Sequence, residues 1–431
     1  MISSFKGSSL KSEIYRALAG TMGIRVLQAA LGFIISIALA RLLGTASLGL
    51  YGATLAAITL VVIPAQAGVA RLAGREAAQL SATNQEEQTR SLRSWGLLSI
   101  FALSLLTAVA IVLLMASGIM PATKSFIAGI PLIPILGLAS LHASMLRGRR
   151  KIIVAQSFDV IRNIAFLAVL IGISFCTAEI APEVAVGLFS CAALLSVAYL
   201  AYFLNKEISV IPTGQTEKTW IKWREWSRAS VPYALIGGVV TVNSKIDILA
   251  IGLFFSKSEA GLYMTANQFS QLTLFALTAA TLVASPYFTR LYAQGDVKRL
   301  QTLATKIAQV SFGFSLCALI GLFFFGRPIL ERLYGDSFGA ATPALMALVL
   351  AQVIQSSTGS AGPLLTAAGF EKKTLRAAII ALIVKAVTII PLVALLGSLG
   401  AGISTCLSMI CLNCILYFSC KRHVKIKTFI C

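Results

Sequence analysis

The chain has 431 residues, 57% of them hydrophobic and 12% charged, and a mean hydropathy of +0.86. A soluble domain carries roughly 25% charged and about 45–50% apolar residues, so these values exclude a water-soluble globular chain and make the bilayer its solvent. The formal net charge of +20 does not indicate a nucleic-acid partner, because the basic residues lie in short clusters between apolar runs rather than on one domain or arm.

A membrane-spanning helix needs about 20 mostly apolar residues, and the sequence offers twelve such runs. In chain order they are 18–41, 48–70, 95–118, 127–146, 154–175 and 184–204, then 230–254, 264–288, 306–326, 341–366, 376–396 and 401–420. The first run follows Lys6, Lys11 and Arg16 and does not read as a cleavable signal peptide. The longest polar stretch, 205–228, holds Pro212 and Gly214 and reads as a cytoplasmic linker. The predicted fold is therefore all-α: a polytopic membrane protein of about twelve transmembrane helices. Its N-terminal six-helix lobe spans 1–204 and its C-terminal six-helix lobe 229–431.

Loop charge fixes the expected orientation. With the N-terminus in the cytoplasm, the inside segments hold 27 lysines and arginines, and the outside loops hold only Lys124, Lys257, Arg327 and Arg332. That separation follows the positive-inside rule, and a shift by one span would scramble it. Both termini are expected to be cytoplasmic.

The remaining basic residues fall inside spans, where a charge costs roughly 2.5–3.5 kcal/mol on insertion scales and is a functional candidate by default. Arg25, in span one, either contacts substrate or snorkels to the headgroups. Arg41 ends the same span and reads as an interfacial anchor. Asp159 and Arg162 are three apart in span five and predict an internal salt bridge. In span seven, Asn243 and Asp247 share a helix face, and Lys245 points away from them. These residues predict either a cavity or proton-linked site, or a structural pair of Asp247 with a lysine of another helix. Lys385, mid-span in the eleventh run, is either paired with an acid such as Asp247 or faces water. Basic residues outnumber acids within the spans, and a cavity so lined favours an anionic ligand such as a pyrophosphate.

A weak repeat relates the halves. Gly49-Leu50-Tyr51 opens span two and Gly261-Leu262-Tyr263 precedes span eight. Gly187-x-x-x-Cys191 lies in span six and Gly402-x-x-x-Cys406 in span twelve. A repeat of six spans enters the membrane from the same side each time, so its axis runs along the membrane normal. No P-loop sequence occurs. The loops show no carboxylate pair, metal cluster or nucleophile–base set, so the chain is expected not to be an enzyme and to hold no cofactor.

The segment Ala38-Leu39-Ala40-Arg41-Leu42-Leu43-Gly44, followed by Gly49-Leu50-Tyr51, resembles the first hairpin of bacterial polysaccharide exporters of the Wzx type. These belong to the multidrug/oligosaccharidyl-lipid/polysaccharide exporter superfamily. Thr45 and Ala46 stand where that family often has proline. The resemblance implies a V-shaped pair of six-helix lobes around a central cavity in the bacterial inner membrane. It implies flipping of an undecaprenyl-pyrophosphate-linked oligosaccharide (O-antigen, capsule or exopolysaccharide repeat unit) by alternating access; protonation of Asp247 is the candidate coupling to a proton gradient, with sodium as the other candidate ion. Its implied partners are that lipid-linked oligosaccharide, membrane lipids and other polysaccharide-assembly membrane proteins. Spans one, two, seven and eight border the cavity in that family, which directs attention to Arg25, Lys245 and Asp247, with Lys385 as a further substrate-binding candidate. A membrane polysaccharide polymerase and a multidrug exporter of the same superfamily are the alternatives.

Overall fold

A computed structural model describes residues 7–83, 85–118, 123–177, 179–208, 219–426 and 428–429. Among the described residues all regular structure is helical. The first part of the chain forms α1 (Gly7–Gln66), α2 (Val69–Ala82), α3 (Glu86–Ala116), α4 (Lys124–Gly129), α5 (Leu132–Gly148), α6 (Ile152–Ser174) and α7 (Pro182–Ile208). The second forms α8 (Thr219–Phe254), α9 (Lys257–Thr273), α10 (Phe275–Ala293) and α11 (Val297–Tyr334), then α12 (Thr342–Ser357), α13 (Ala361–Ala367) and α14 (Glu371–Ser419).

Nine helical stretches among the described residues are long and apolar enough to cross a membrane. Two are far longer than one crossing needs: Met22–Gln66 has 45 residues and Glu371–Val424 has 54, against about 20 for a ~30 Å hydrocarbon core. Each contains one residue outside helical geometry, Gly44 (φ 69, ψ 179) and Gly397 (φ 57, ψ −131). Positive φ is open to glycine at little steric cost. The loops expected at 42–47 and 397–400 are thus single-glycine breaks with helix resuming at once. The break at Gly397 is finished by Glu259, whose Oε2 accepts the Ser398 amide at 3.0 Å. The expected linker is helical at 205–208 and 219–228, while 209–218 lie outside the described residues.

The chain divides into two compact units, and the division falls inside helices. Unit one comprises the chain up to Ile35 with Ala57–Gly238, and unit two comprises Ser36–Ala56 with the chain from Val239 onward. In unit one α5 packs against α2, α3, α6 and α7. In unit two α12 packs against α9, α11 and α14. The stretches containing α5 and α12 are the two most buried of the nine, at 56% each. They are the fourth and tenth of the twelve apolar runs, so each unit is centred on the same position of the repeat.

Two segments are fixed by close approach or by indole hydrogen bonds. Within unit two, a Cβ on Gly49 would overlap the Lys257 carbonyl oxygen, and one on Gly261 would overlap the Thr45 carbonyl oxygen. The two Gly-Leu-Tyr copies therefore meet backbone to backbone, helped by Ser258 Oγ donating to Thr45 Oγ1 at 3.0 Å. The second pair behaves differently. Gly402 meets Ala347, whereas Gly187 has open space where its Cβ would be. Within unit one, the start of α8 is laced to α3: Trp223 Nε1 donates to Ser91 Oγ at 3.1 Å, and Trp95 Nε1 to Ser227 Oγ at 3.1 Å. Lys222 Nζ reaches Gln88 Oε1 at 2.5 Å, and the Trp95 and Trp226 rings stand 5.6 Å apart.

Candidate functional site

Among the described residues Asp247, in the second half of α8, gathers three side-chain donors on one carboxylate oxygen. Its face is set by helical spacing: Asp247 and Ile251 are buried four residues apart, with Asn243 one turn before. Opposite it, α14 buries an unbroken i, i+4 stripe of Ala377, Ala381, Lys385, Ile389 and Val393. The lysine therefore sits on the packing face of its helix rather than toward lipid.

These two faces meet in an ion pair. Lys385 Nζ lies 2.6 Å from Asp247 Oδ2 and also donates to the Asn243 carbonyl at 2.8 Å. Asp247 is 5% exposed and Lys385 3%. The same Oδ2 accepts from Tyr263 Oη at 2.9 Å and Thr405 Oγ1 at 3.2 Å. A buried carboxylate keeps its charge only when paired and hydrogen-bonded, and here a cation and two hydroxyls converge on one oxygen. The other oxygen, Oδ1, is buried with no partner among the described residues, as is Oδ1 of Asn243 one turn away. The carboxylate is thus saturated on one side and open on the other.

Of the two sequence readings of Lys385, the structure selects pairing with Asp247. Asn243 and Asp247 share the face that binds it, and Lys245 lies off that face. Lys245 is half-buried and makes no hydrogen bond or ion pair to a described residue. Tyr263 and Thr405 were not singled out from sequence, although each lies in a repeat segment: Tyr263 ends the second Gly-Leu-Tyr, and Thr405 precedes Cys406.

The other charged candidates lie apart. Arg41 donates from Nε to the Leu333 carbonyl at 2.8 Å and from Nη2 to that of Arg332 at 2.7 Å. It caps the carbonyl end of α11, satisfying groups a helix leaves open there. Asp159 and Arg162 form an i, i+3 pair at 2.9 Å, and the Arg162 guanidinium lies over the rings of Phe158 and Phe189 at 5.3 and 5.1 Å. Arg25, in unit one, is exposed and bonds no described residue. Among the described residues no three His, Cys, Asp or Glu side chains come together to hold a metal.

The family model described as "Polysaccharide biosynthesis protein" matches residues 16–292, more than half of the chain. The chain belongs to the polysaccharide biosynthesis protein family. Within the family's wider kin, it is 22% identical over 416 residues to "Probable flippase AglR" of Haloferax volcanii, covering 92% of this chain and 81% of that one. It is also 22% identical over 272 residues to "Probable low-salt glycan biosynthesis flippase Agl15" of the same organism, covering 63% of this chain and 55% of that one. The chain thus spans little more than half the length of Agl15.

Solved structures give the fold of this family member. The lipid II flippase MurJ in an inward closed conformation superposes with a TM-score of 0.73 at 16% identity, covering 93% of this chain and 87% of that one. An inward-facing multidrug resistance MATE transporter of the MOP superfamily gives 0.67 at 16% identity, covering 93% and 98%. A MOP superfamily transporter from Pyrococcus furiosus, described as having a binding pocket of reverse polarity, gives 0.60 at 15% identity, covering 98% and 99%. The fold is that of the MOP transporters and flippases.

Proposed function

We propose that the chain is a Wzx-type flippase that moves an undecaprenyl-pyrophosphate-linked oligosaccharide across the bacterial inner membrane by alternating access. The observation that carries this reading is the state of the charges inside the spans. Both acids are neutralised within their own unit, Asp247 by Lys385 and Asp159 by Arg162. Arg25 and Lys245 have no such counterpart among the described residues. The uncompensated charge is positive, which suits an anionic pyrophosphate and disfavours the cationic cargo of a drug exporter. The Haloferax relatives, both named as flippases and one of them for glycan biosynthesis, support a lipid-linked glycan as the class of cargo.

Twelve crossings with both termini in the cytoplasm complete the proposal. The 45- and 54-residue stretches each count as two, divided at Gly44 and Gly397, and α9 with α10 supplies one more. In transport, Arg25 and Lys245 act as charge-assisted donors to the head group. Asp247 is the coupling residue. Its unpartnered Oδ1, one helical turn from the unpartnered Oδ1 of Asn243, is the oxygen that takes the coupling proton or sodium ion. Neutralising the carboxylate frees Lys385 from its counter-ion and leaves it only the Asn243 carbonyl. The working partners are the lipid-linked oligosaccharide, bilayer lipids and the membrane proteins that assemble polysaccharide.

The test is translocation of a fluorescent polyprenyl-pyrophosphate oligosaccharide in proteoliposomes, with and without a proton or sodium gradient. The wild type is expected to move the head group. Lys245→Ala and Arg25→Ala should each lower the rate at least about tenfold, the equivalent of one charge-assisted bond. Asp247→Asn should abolish the response to the gradient. Absence of movement for any sugar under either gradient defeats the flippase reading, and movement unchanged in both basic variants removes the assigned site.

A further inference from the structure

Unit one carries a further basic site, lined by none of the residues assigned above. A cavity of about 410 Å³ opens between α3 and the end of α7, lined by Arg90, Arg93, Ser94, Leu97 and Ile208. Its size lies in the range of small-ligand sites, roughly 300–1,000 Å³. Arg90 Nη2 donates to the Ile208 carbonyl at 3.3 Å, and Arg149 Nη2 to the neighbouring Glu207 carbonyl at 3.3 Å. The Glu207 carboxylate pairs with Lys151 at 2.9 Å. Arg93 contributes the open group: its Nε is buried with no partner among the described residues. A buried guanidinium N–H without an acceptor is costly, and phosphate is an acceptor that an arginine fork suits.

The surroundings of the cavity say what carries that phosphate. Successive turns of α3 beyond Ser94 expose Leu98, Phe101, Leu105, Val109 and Val112. The i, i+3/i+4 spacing places them on one face, continuing the row begun by Arg90 and Ser94. A basic pocket thus stands at the head of an apolar strip several turns long. Basic pockets between spanning helices recognise phosphorylated lipid head groups in this way. We propose that the Arg90–Arg93 cavity binds the phosphate of an anionic membrane lipid, whose acyl chains lie along the exposed face of α3.

Native mass spectrometry of the full chain in neutral detergent tests this, with dioleoyl phosphatidylglycerol as probe and dioleoyl phosphatidylcholine and glycerol phosphate as comparators. The wild type should retain one phosphatidylglycerol at concentrations where phosphatidylcholine is lost. The double change Arg90→Gln/Arg93→Gln should weaken that binding about tenfold or more. Leu97→Trp, which fills the cavity and leaves both arginines in place, should do the same and carries the test if the double variant fails to fold. Arg224→Gln/Arg228→Gln, at exposed positions on α8, should bind like the wild type. Equal retention of both lipids, or equal binding by all variants, overturns the proposal. Displacement by glycerol phosphate at matching concentration also overturns it, by making the ligand a soluble phosphate.

Discussion

The two halves of α8 are held by different physics. Up to Gly238 the helix belongs to unit one, and its Trp223, Trp226 and Ser227 are laced to α3 by indole–hydroxyl hydrogen bonds and ring packing. Beyond it the helix belongs to unit two and is bound to α14 by the Asp247–Lys385 pair. Tryptophan joins an apolar body to one polar tip and tolerates a mixed environment. A buried ion pair is all or nothing, since either partner alone is a stranded charge. One helix therefore has a graded attachment at one end and a switch-like attachment at the other.

The largest effect should come from splitting the pair. Asp247→Ala or Lys385→Ala should each destabilise the protein by about 3–5 kcal/mol, read as loss of thermal stability in detergent. The double change Asp247→Leu/Lys385→Met should recover most of it, and a double variant no better than the singles would refute the stranded-charge account. Next come the reciprocal glycines. Gly49→Ala and Gly261→Ala each push a methyl into backbone and should cost at least about 1–3 kcal/mol. Gly187→Ala, which meets open space in α7, should be neutral or stabilising by up to about 1 kcal/mol. At the other end of α8, Trp223→Phe and Trp95→Phe each delete one indole donor and should cost about 0.5–1.5 kcal/mol. Smallest is Asp159→Asn. Its partly exposed i, i+3 pair should be worth about 0.5 kcal/mol or less. A cost as large as that at Asp247 would put Asp159 in a role its exposure does not suggest.

The class of fold was legible because bilayer thickness writes itself into run length and loop charge. The continuity of α1 and α14 was not: Gly44 and Gly397 read as loop residues, and only backbone geometry shows helix resuming directly after each. Asp247 and Lys385 were visible as charges where charge is costly. Their pairing was left open, because 138 residues separate them and a single sequence holds no record of contact between helices. Tyr263 and Thr405 were hidden for a related reason. Hydroxyls are cheap in a membrane and carry no signal until an acceptor is known. The Gly-Leu-Tyr repeat is legible through its glycines, whose backbone contact the structure shows, and Tyr263 beside them is one of three donors to the Asp247 carboxylate.

The contact between Thr45 and Ser258 joins residues 213 positions apart, and this gives the protein a history in time. At about 5–20 residues per second, a ribosome takes on the order of 10–40 s to make the distance between them. The Ser36–Ala56 hairpin enters the membrane early and waits through that interval with the face around Gly49 uncovered. Only when α9 emerges can unit two assemble around a piece of chain made long before. Any pause, truncation or early termination ahead of Ser258 leaves that hairpin without its complement, a natural handle for chaperones and membrane proteases that survey unfinished chains.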